Sequence, residues 1–458
     1  MGAVIRDRLD DQAIRTEVTE VLRALVRIDT SNPPGNETPA ATFLKSYLEG
    51  AGVPCELVAR DPKRANLVAR IEGTGEGPSI ALMGHTDVVP ADPQTWTHPP
   101  FDAHLDEDGF IWGRGTVDMK NETATRAVTM AMLGRSGWRP QGDVVFIAQA
   151  DEENGEHEVG LKWLRNERPD IRTDFAIDEG GGLHLELTDG RVVIPINVGE
   201  KATLPVRVTA LGEAGHASTP TAGNNAVPLV AELIRRLARH HVAPALLDET
   251  RRTLEILVGE VDDDLEGAIQ RAAKLHASFP DDLPPLFRTT IAPTILRGSE
   301  ALNVMPGRAS VTCDCRVLPG TGPAELEREL RSALGTDIAY DLEFLEPPTG
   351  GTVAPVDTPL YRICEDFVAE HEPRATLLPT ISTGFTDSHF MREAFDTVAY
   401  GFWPCRSTPS DIYLGGVHNK DERIHVDDLV YATRFHLFAT ERLGSMGMQA
   451  AGGDEPAA

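Results

Sequence analysis

Three apolar runs in this 458-residue chain each end in a cluster of carboxylates or imidazoles, and that repeated join restricts the fold most. Residues 79–84 run into Met83-Gly-His85-Thr-Asp87, residues 143–150 into Asp151-Glu152-Glu153, and residues 174–177 into Asp178-Glu179-Gly180. The middle run is largely apolar, the pattern of a strand covered on both faces. Three consecutive carboxylates at the end of such a strand are costly unless something cationic meets them. Before the first run the spacing is helical, as for Val18, Val21, Leu22 and Leu25. A second helix stops near Gly50, a third follows Asp118, and a fourth covers about 159–164. Strands alternating with helices predict an α/β layer with a largely parallel sheet. Ligands of open α/β sheets gather beyond the strand carboxyl ends, where these clusters stand.

The rhythm changes near residue 198. Alternating residues from 203, a helix over 225–240, a polar helical stretch to about 275 and alternating runs at 289–296 and 309–317 predict a small α+β unit. Beyond Pro319 a helix at 325–334, strands at 338–344 and 398–402 and a closing helix at 426–443 are assigned back to the α/β layer. The expected division is a catalytic domain over 1–197 and 317–443, a domain over 198–316 inserted into it, and a disordered tail over 444–458. With 43 Lys plus Arg against 71 Asp plus Glu, the charge of −28 argues against nucleic acid or an anionic membrane as partner. No apolar run reaches the ~18 residues of a membrane span. The opening MGAVIRDRLDD has no apolar signal core, so the expectation is a soluble, cytoplasmic protein. Five cysteines without CxxC spacing argue against a disulfide framework or a thiolate zinc site, and Cys313 and Cys315 share one sheet face.

Two further segments complete the chemistry. Gly113-Arg-Gly-Thr-Val-Asp118-Met-Lys opens a helix after a Gly-rich turn, and Val417-His418 lies far downstream. His, Asp, Glu, Glu and His are the ligand types expected for zinc without thiolates. A carboxylate bridging two ions ~3.5–4 Å apart gives the two-metal arrangement that activates a shared water. A further carboxylate must then act as general base, and in a Glu-Glu pair one residue can face the metal and the other the water. Each segment alone also reads as a solvated surface loop; all five in this order do not.

In the order GHTDVVP, GRGTVDMK, DEENG, IDEG, GHAS, NVMPGRA, CRVLPG and VHNKDERI, the sequence resembles a co-catalytic zinc family. That family includes aminoacylase, acetylornithine deacetylase, succinyl-diaminopimelate desuccinylase and glutamate carboxypeptidase. The match runs from Ser31-Asn-Pro-Pro-Gly35 to Glu422-Arg-Ile424. The resemblance implies His85, Asp118 and Glu179 on one Zn2+, and Asp118, Glu153 and His418 on a second, with Co2+ or Mn2+ as substitutes. It implies Glu152 as general base, Asp87 as the carboxylate that orients His85, and a cis peptide after Asp118. The inserted unit resembles the family's ferredoxin-like lid, which usually also makes a homodimer. Its His216 would stabilise the oxyanion, often in the partner subunit's site.

Asn303 and Arg316 match substrate-holding positions, Arg316 through a bidentate grip on a carboxylate. Gly384 falls beside the substrate, with Phe385 where relatives have a second glycine. Asn121 stands where relatives have Gly, and Asn419-Lys-Asp421-Glu422 replaces Gly-x-Asn-Glu; neither change removes a ligand or the base. The implied activity is hydrolysis of an amide bond in an N-acyl-amino acid or small peptide. The alternatives are a carbamoyl-amino-acid hydrolase and a non-catalytic metal-binding assembly protein, the second disfavoured by the presence of Glu152.

Overall fold

The computed structural model describes residues 10–155, 157–261 and 263–447. Expectations for the first nine residues and for the tail beyond 447 lie outside the described residues. The chain divides into two compact units. The first comprises Met1–Val198, Ala354–Pro379 and Thr386–Ala458; the second comprises Gly199–Val353 and Thr380–Phe385.

In the first unit the strands Val144–Gln149, Ile80–His85, Phe175–Asp178 and Val398–Gly401 lie side by side in that order, all parallel. Asn66–Ile71 and Cys55–Val58 extend one side antiparallel, and Val192–Glu200 pairs antiparallel with Val398–Gly401 on the other. The sheet is therefore mixed, with four parallel strands at its centre. All six residues of Ile80–His85 and of Val144–Gln149 are buried, as their apolar runs predict. Because three of these strands run the same way, His85, the Asp151–Glu153 turn and Glu179 emerge at one end of the sheet.

The helix Lys120–Ser136 packs on Ile80–His85 and against the helices Asp11–Val26 and Val426–Gly444. It is buried nearly all round, so its polar side chains must find partners inside the protein. Lys120 Nζ donates to the carbonyls of Leu25 and Ile28 at 3.1 and 2.8 Å. Thr125 Oγ1 accepts from Trp403 Nε1 at 3.1 Å.

In the second unit Arg308–Val317 pairs antiparallel with Thr290–Arg297, Ala202–Thr203 and Val206–Leu211, and the last pairs with Tyr340–Phe344. Helices Ala226–Arg239 and Pro323–Leu334 close its core, in which Val206, Val208, Val311, Cys313 and Cys315 are buried. The expected boundary at 316/317 lies instead at Val353/Ala354. Tyr340–Phe344 alternates rather than running apolar throughout, and it pairs Leu342 with Val208 and Phe344 with Val206. That half-buried pattern suits an antiparallel edge, and the helix Pro323–Leu334 stays with it.

Residues 241–287 add the helices Asp248–Val258, Leu265–Ala272 and Phe279–Asp282. Their return is pinned by the buried Lys201, whose Nζ donates to Pro285 O (3.2 Å), Arg288 O (2.9 Å) and Thr290 Oγ1 (3.2 Å). The expected tail starts within a helix, since Val426–Gly444 is helical and Gln141 donates to the Gly444 carbonyl. Among the described residues no helix is long and apolar enough to cross a membrane. All five cysteines are free.

Candidate active site

His85 ends its strand fully buried, with Nδ1 donating to the main-chain carbonyl of Asp87 at 2.9 Å. That bond fixes the ring and leaves Nε2 facing Asp118 Oδ1 at 3.2 Å and Glu152 Oε2 at 3.9 Å. His418, held at φ 55°, places Nε2 3.1 Å from Asp118 Oδ2 and 3.0 Å from Glu153 Oε2. Each oxygen of Asp118 therefore faces a different imidazole. Ligand atoms of His85, Glu152 and Glu179 lie within 4.8 Å of one another, as do those of His85, Asp118 and Glu153. The structure thus brings together His85, Asp118, Glu152, Glu153, Glu179 and His418. The Asp118–Met119 peptide is cis, as the resemblance implied.

Buried polar groups hold these side chains in place. The Gly-rich turn wraps the carboxylate of Glu422, which accepts from Val117 N (2.6 Å) and Asp118 N (3.0 Å) on Oε1. Its Oε2 accepts from Gly115 N (2.9 Å) and Arg114 Nη1 (2.7 Å). Arg126 Nη2 donates to Glu122 Oε2 at 2.7 Å and to the Asp178 carbonyl at 2.8 Å, fixing the main chain before Glu179. The Asp87 carboxylate accepts from Glu152 N (3.2 Å), Glu153 N (3.1 Å) and Asn32 Nδ2 (2.9 Å). The Asp87 carbonyl accepts from His85 Nδ1, and its carboxylate, 3.6 Å from the same nitrogen, also holds the Glu152-Glu153 turn.

The electrostatics of the protein groups favour added positive charge. Burial lifts Glu152 well above the usual carboxylate range, aided by the charge of Glu179; burial does the same to Glu179, aided by Asp118. Burial also raises Glu153, although His418 opposes it. Burial acts to raise Asp118 too, but bonds from His418 and His85 outweigh it and hold that carboxyl below its usual range. The bonds to Asp118 and Glu153 raise His418 to about 10. Glu153 Oε1 is buried without a hydrogen-bond partner among the described residues. Nitrogen and oxygen donors packed this way, with a buried oxygen left over, fit a zinc-type cation.

Two nearby residues escaped the sequence reading. Asp387 is buried and raised by burial and by Asp178, and its Oδ2 lacks a partner among the described residues. The hydroxyl of Tyr413 is buried and feels the charges of Glu122, Asp118 and Glu179. Asp387 follows Thr386 in the very loop singled out for Gly384, so its position was a signal; Tyr413 had none.

The pattern of peptidase family M20/M25/M40 matches residues 81–442. The chain belongs to that family. M20 enzymes are metal-dependent hydrolases of amide bonds, and so is this chain. Aminoacylase-1 of Mus musculus is 29% identical over 424 residues, covering 91% of this chain and 93% of the relative. A succinyl-diaminopimelate desuccinylase of Methylorubrum populi is 28% identical over 438 residues, covering 92% and 96%. The fold is similar to that of an M20 metallo-carboxypeptidase from Sulfolobus solfataricus, with TM-score 0.68, 19% identity and coverage of 93% and 99%.

The remaining expected residues of this M20 chain lie in the second unit. His216, in Gly215–His216, pairs with Val304 beside Asn303, and both His216 and Asn303 are exposed. Ser218 N donates to His216 Nδ1 at 3.2 Å. Arg316 donates from Nε and Nη2 to Asp314 at 2.8 and 3.2 Å, so this guanidinium already holds one carboxylate. Gly384 N donates to Ser382 Oγ at 3.1 Å. Back in the first unit, Asn121 is fully buried with neither amide atom partnered among the described residues.

Proposed function

We propose that this chain hydrolyses the amide bond of an N-acyl-amino acid or small peptide, with two divalent ions in the cluster and Glu152 as general base. The observation that carries the reading is Asp118, whose two oxygens face two imidazoles beside the adjacent Glu152 and Glu153. His85, Asp118 and Glu179 would hold one ion, and Asp118, Glu153 and His418 the other. Asp118, Glu152, Glu153 and Glu179 carry four negative charges when ionised, matched by two divalent cations. Zinc at these positions supplies Lewis acidity and brings the pKa of water towards ~7; cobalt and manganese suit the same donors.

Glu152 needs no ligand role in this scheme. It takes the proton of the attacking water and delivers it to the leaving amine. The oxyanion donor is His216. Because Nδ1 accepts from Ser218 N–H, the neutral ring carries its proton on Nε2, where it donates outward. Arg316 uses one edge of its guanidinium on Asp314, which leaves the Nη1–Nη2 edge for a substrate carboxylate, with Asn303 and Gly384 beside the substrate.

The same reading includes a homodimer through the second unit and a cytoplasmic location. Strand Thr290–Arg297 pairs only with Arg308–Val317 among the described residues and exposes Ile295 and Leu296 by 49% and 62%. The five free cysteines suit a reducing compartment.

A screen of N-acyl-amino acids and dipeptides with zinc-loaded protein tests the activity. Turnover is expected in the wild type, and Glu152→Gln is expected to lower kcat by about 10²–10⁴-fold with both metals retained. A Glu152→Gln enzyme with near-wild-type kcat would show that the base lies elsewhere.

A further inference from the structure

Asp151 opens the Asp151-Glu152-Glu153 run, and the proposed reaction gives it no task. Its side chain is nonetheless 1% exposed, and its backbone holds φ 64°. A residue with a Cβ persists in that left-handed region only where its surroundings fix it. Oδ1 of Asp151 accepts from Arg64 Nη2 at 3.2 Å and from Asn32 Nδ2 at 3.1 Å, and Oδ2 accepts from His157 N at 3.1 Å. The same Asn32 nitrogen donates to Asp87 Oδ2 at 2.9 Å, and Asp87 in turn accepts the N–H groups of Glu152 and Glu153.

Both acceptors of Asn32 are carboxylates, so its amide must turn Nδ2 towards them. Oδ1 is then left buried without a partner among the described residues. Leaving that oxygen unsatisfied is a cost, accepted here to join two carboxylates. Arg64 is anchored from behind by Glu37, which accepts from Nε at 2.6 Å and from Nη2. Gly35, at φ 80°, makes room for it, since a Cβ there would come within 2.1 Å of Arg64 Cζ.

We infer that Asn32 and Arg64 are positioning residues that act through Asp151 and Asp87 to fix the main chain of Glu152 and Glu153. One link holds the turn at its start, the other at its middle, and Asn32 sets the distance between them. This rests on the reading of Glu152 as base and Glu153 as ligand. Both side chains are delivered by one short turn, so a shift of its backbone displaces base and ligand together. Misplacement of a reacting group by about 1 Å costs on the order of 10²-fold in rate. Loss of a partner behind a metal ligand costs about 10–100-fold in affinity or activity.

The test uses the full chain loaded with zinc for kinetics and with cobalt for visible absorption. Asn32→Ala removes a neutral link, Asn32→Asp is isosteric but sets a third negative charge between two others, and Arg64→Met removes the guanidinium. Each is expected to lower kcat by about 10–100-fold with KM within about twofold, and to shift the cobalt absorption as Glu153 moves. The Asn32→Ala/Arg64→Met double variant is expected to lose less than the product of the two single losses, because both residues act in part through Asp151. If Arg64→Met fails to fold, Asn32→Ala carries the test. A folded Asn32→Ala protein with wild-type kcat and an unaltered cobalt spectrum overturns the inference, as do fully multiplicative losses in the double variant. Glu152→Gln separates the two levels. If it keeps full activity, the reading of the base has failed; if it is inactive while Asn32→Ala is fully active, only the positioning role has failed.

Discussion

Glu422 accepts from Arg114, Gly115, Val117 and Asp118, so one buried carboxylate satisfies the turn that presents Asp118. Removing it would strand three main-chain N–H groups and a guanidinium in a site closed to water. Glu422→Ala is therefore expected to destabilise the first unit by about 3–5 kcal/mol, read as a lower denaturant midpoint for the metal-free protein. Residues of this kind mark the limit of what a sequence shows. The strand-end clusters that contain His85, Glu152, Glu153 and Glu179 were legible because imidazoles and carboxylates at the ends of buried apolar strands are costly without a cation to meet them, while the part expected of each residue came only from the resemblance. The orientation of His85 by the Asp87 carbonyl was not legible, because a main-chain acceptor leaves no trace in residue type. Asn32 was visible only as part of a Pro-rich loop, since its two acceptors lie 55 and 119 residues away.

Among the elements, the buried strands of the first unit were the most legible, and Ile80–His85, Val144–Gln149 and Phe175–Asp178 fall where their apolar runs placed them. Tyr340–Phe344 was recognised as a strand but given to the wrong sheet. Period-2 patterning shows that a strand is half-buried, not which neighbour it pairs with. Lys201 raises a similar problem, since its sequence context hides that it is buried and binds the return of the helical insertion. Burial, with the charge of Arg316, lowers its pKa from 10.5 to about 7. Between these values the unfolded chain holds the proton and the folded chain does not, so stability rises with pH across that window. Below about pH 7 the penalty is complete, and above about 10.5 it is absent. Lys201→Met is expected to flatten this dependence, which has an upper bound of about 5 kcal/mol. Denaturation of both proteins at pH 7 and pH 10 checks it; equal slopes would mean that Lys201 keeps its proton through three hydrogen bonds.

For the whole molecule, the proposed homodimer makes a strong demand. If His216 serves the site of the other copy, Glu152→Ala and His216→Ala are each inactive alone but complementary when mixed. His216→Ala should lose about 10²–10³-fold in kcat, and mixing is expected to restore part of the wild-type rate in one intact site per mixed dimer. A mixture that stays inactive although subunits demonstrably exchange would place the donor in the same chain or make His216 structural.

The central claim is that Asp118 joins two ions, and the metal-to-protein ratio after zinc reconstitution tests it most directly. Two zinc ions per chain are expected in the wild type and in Glu152→Gln, and fewer than two in Asp118→Ala, where both ions lose a shared ligand. One ion or none in the wild type, or an unchanged ratio in Asp118→Ala, would contradict the account.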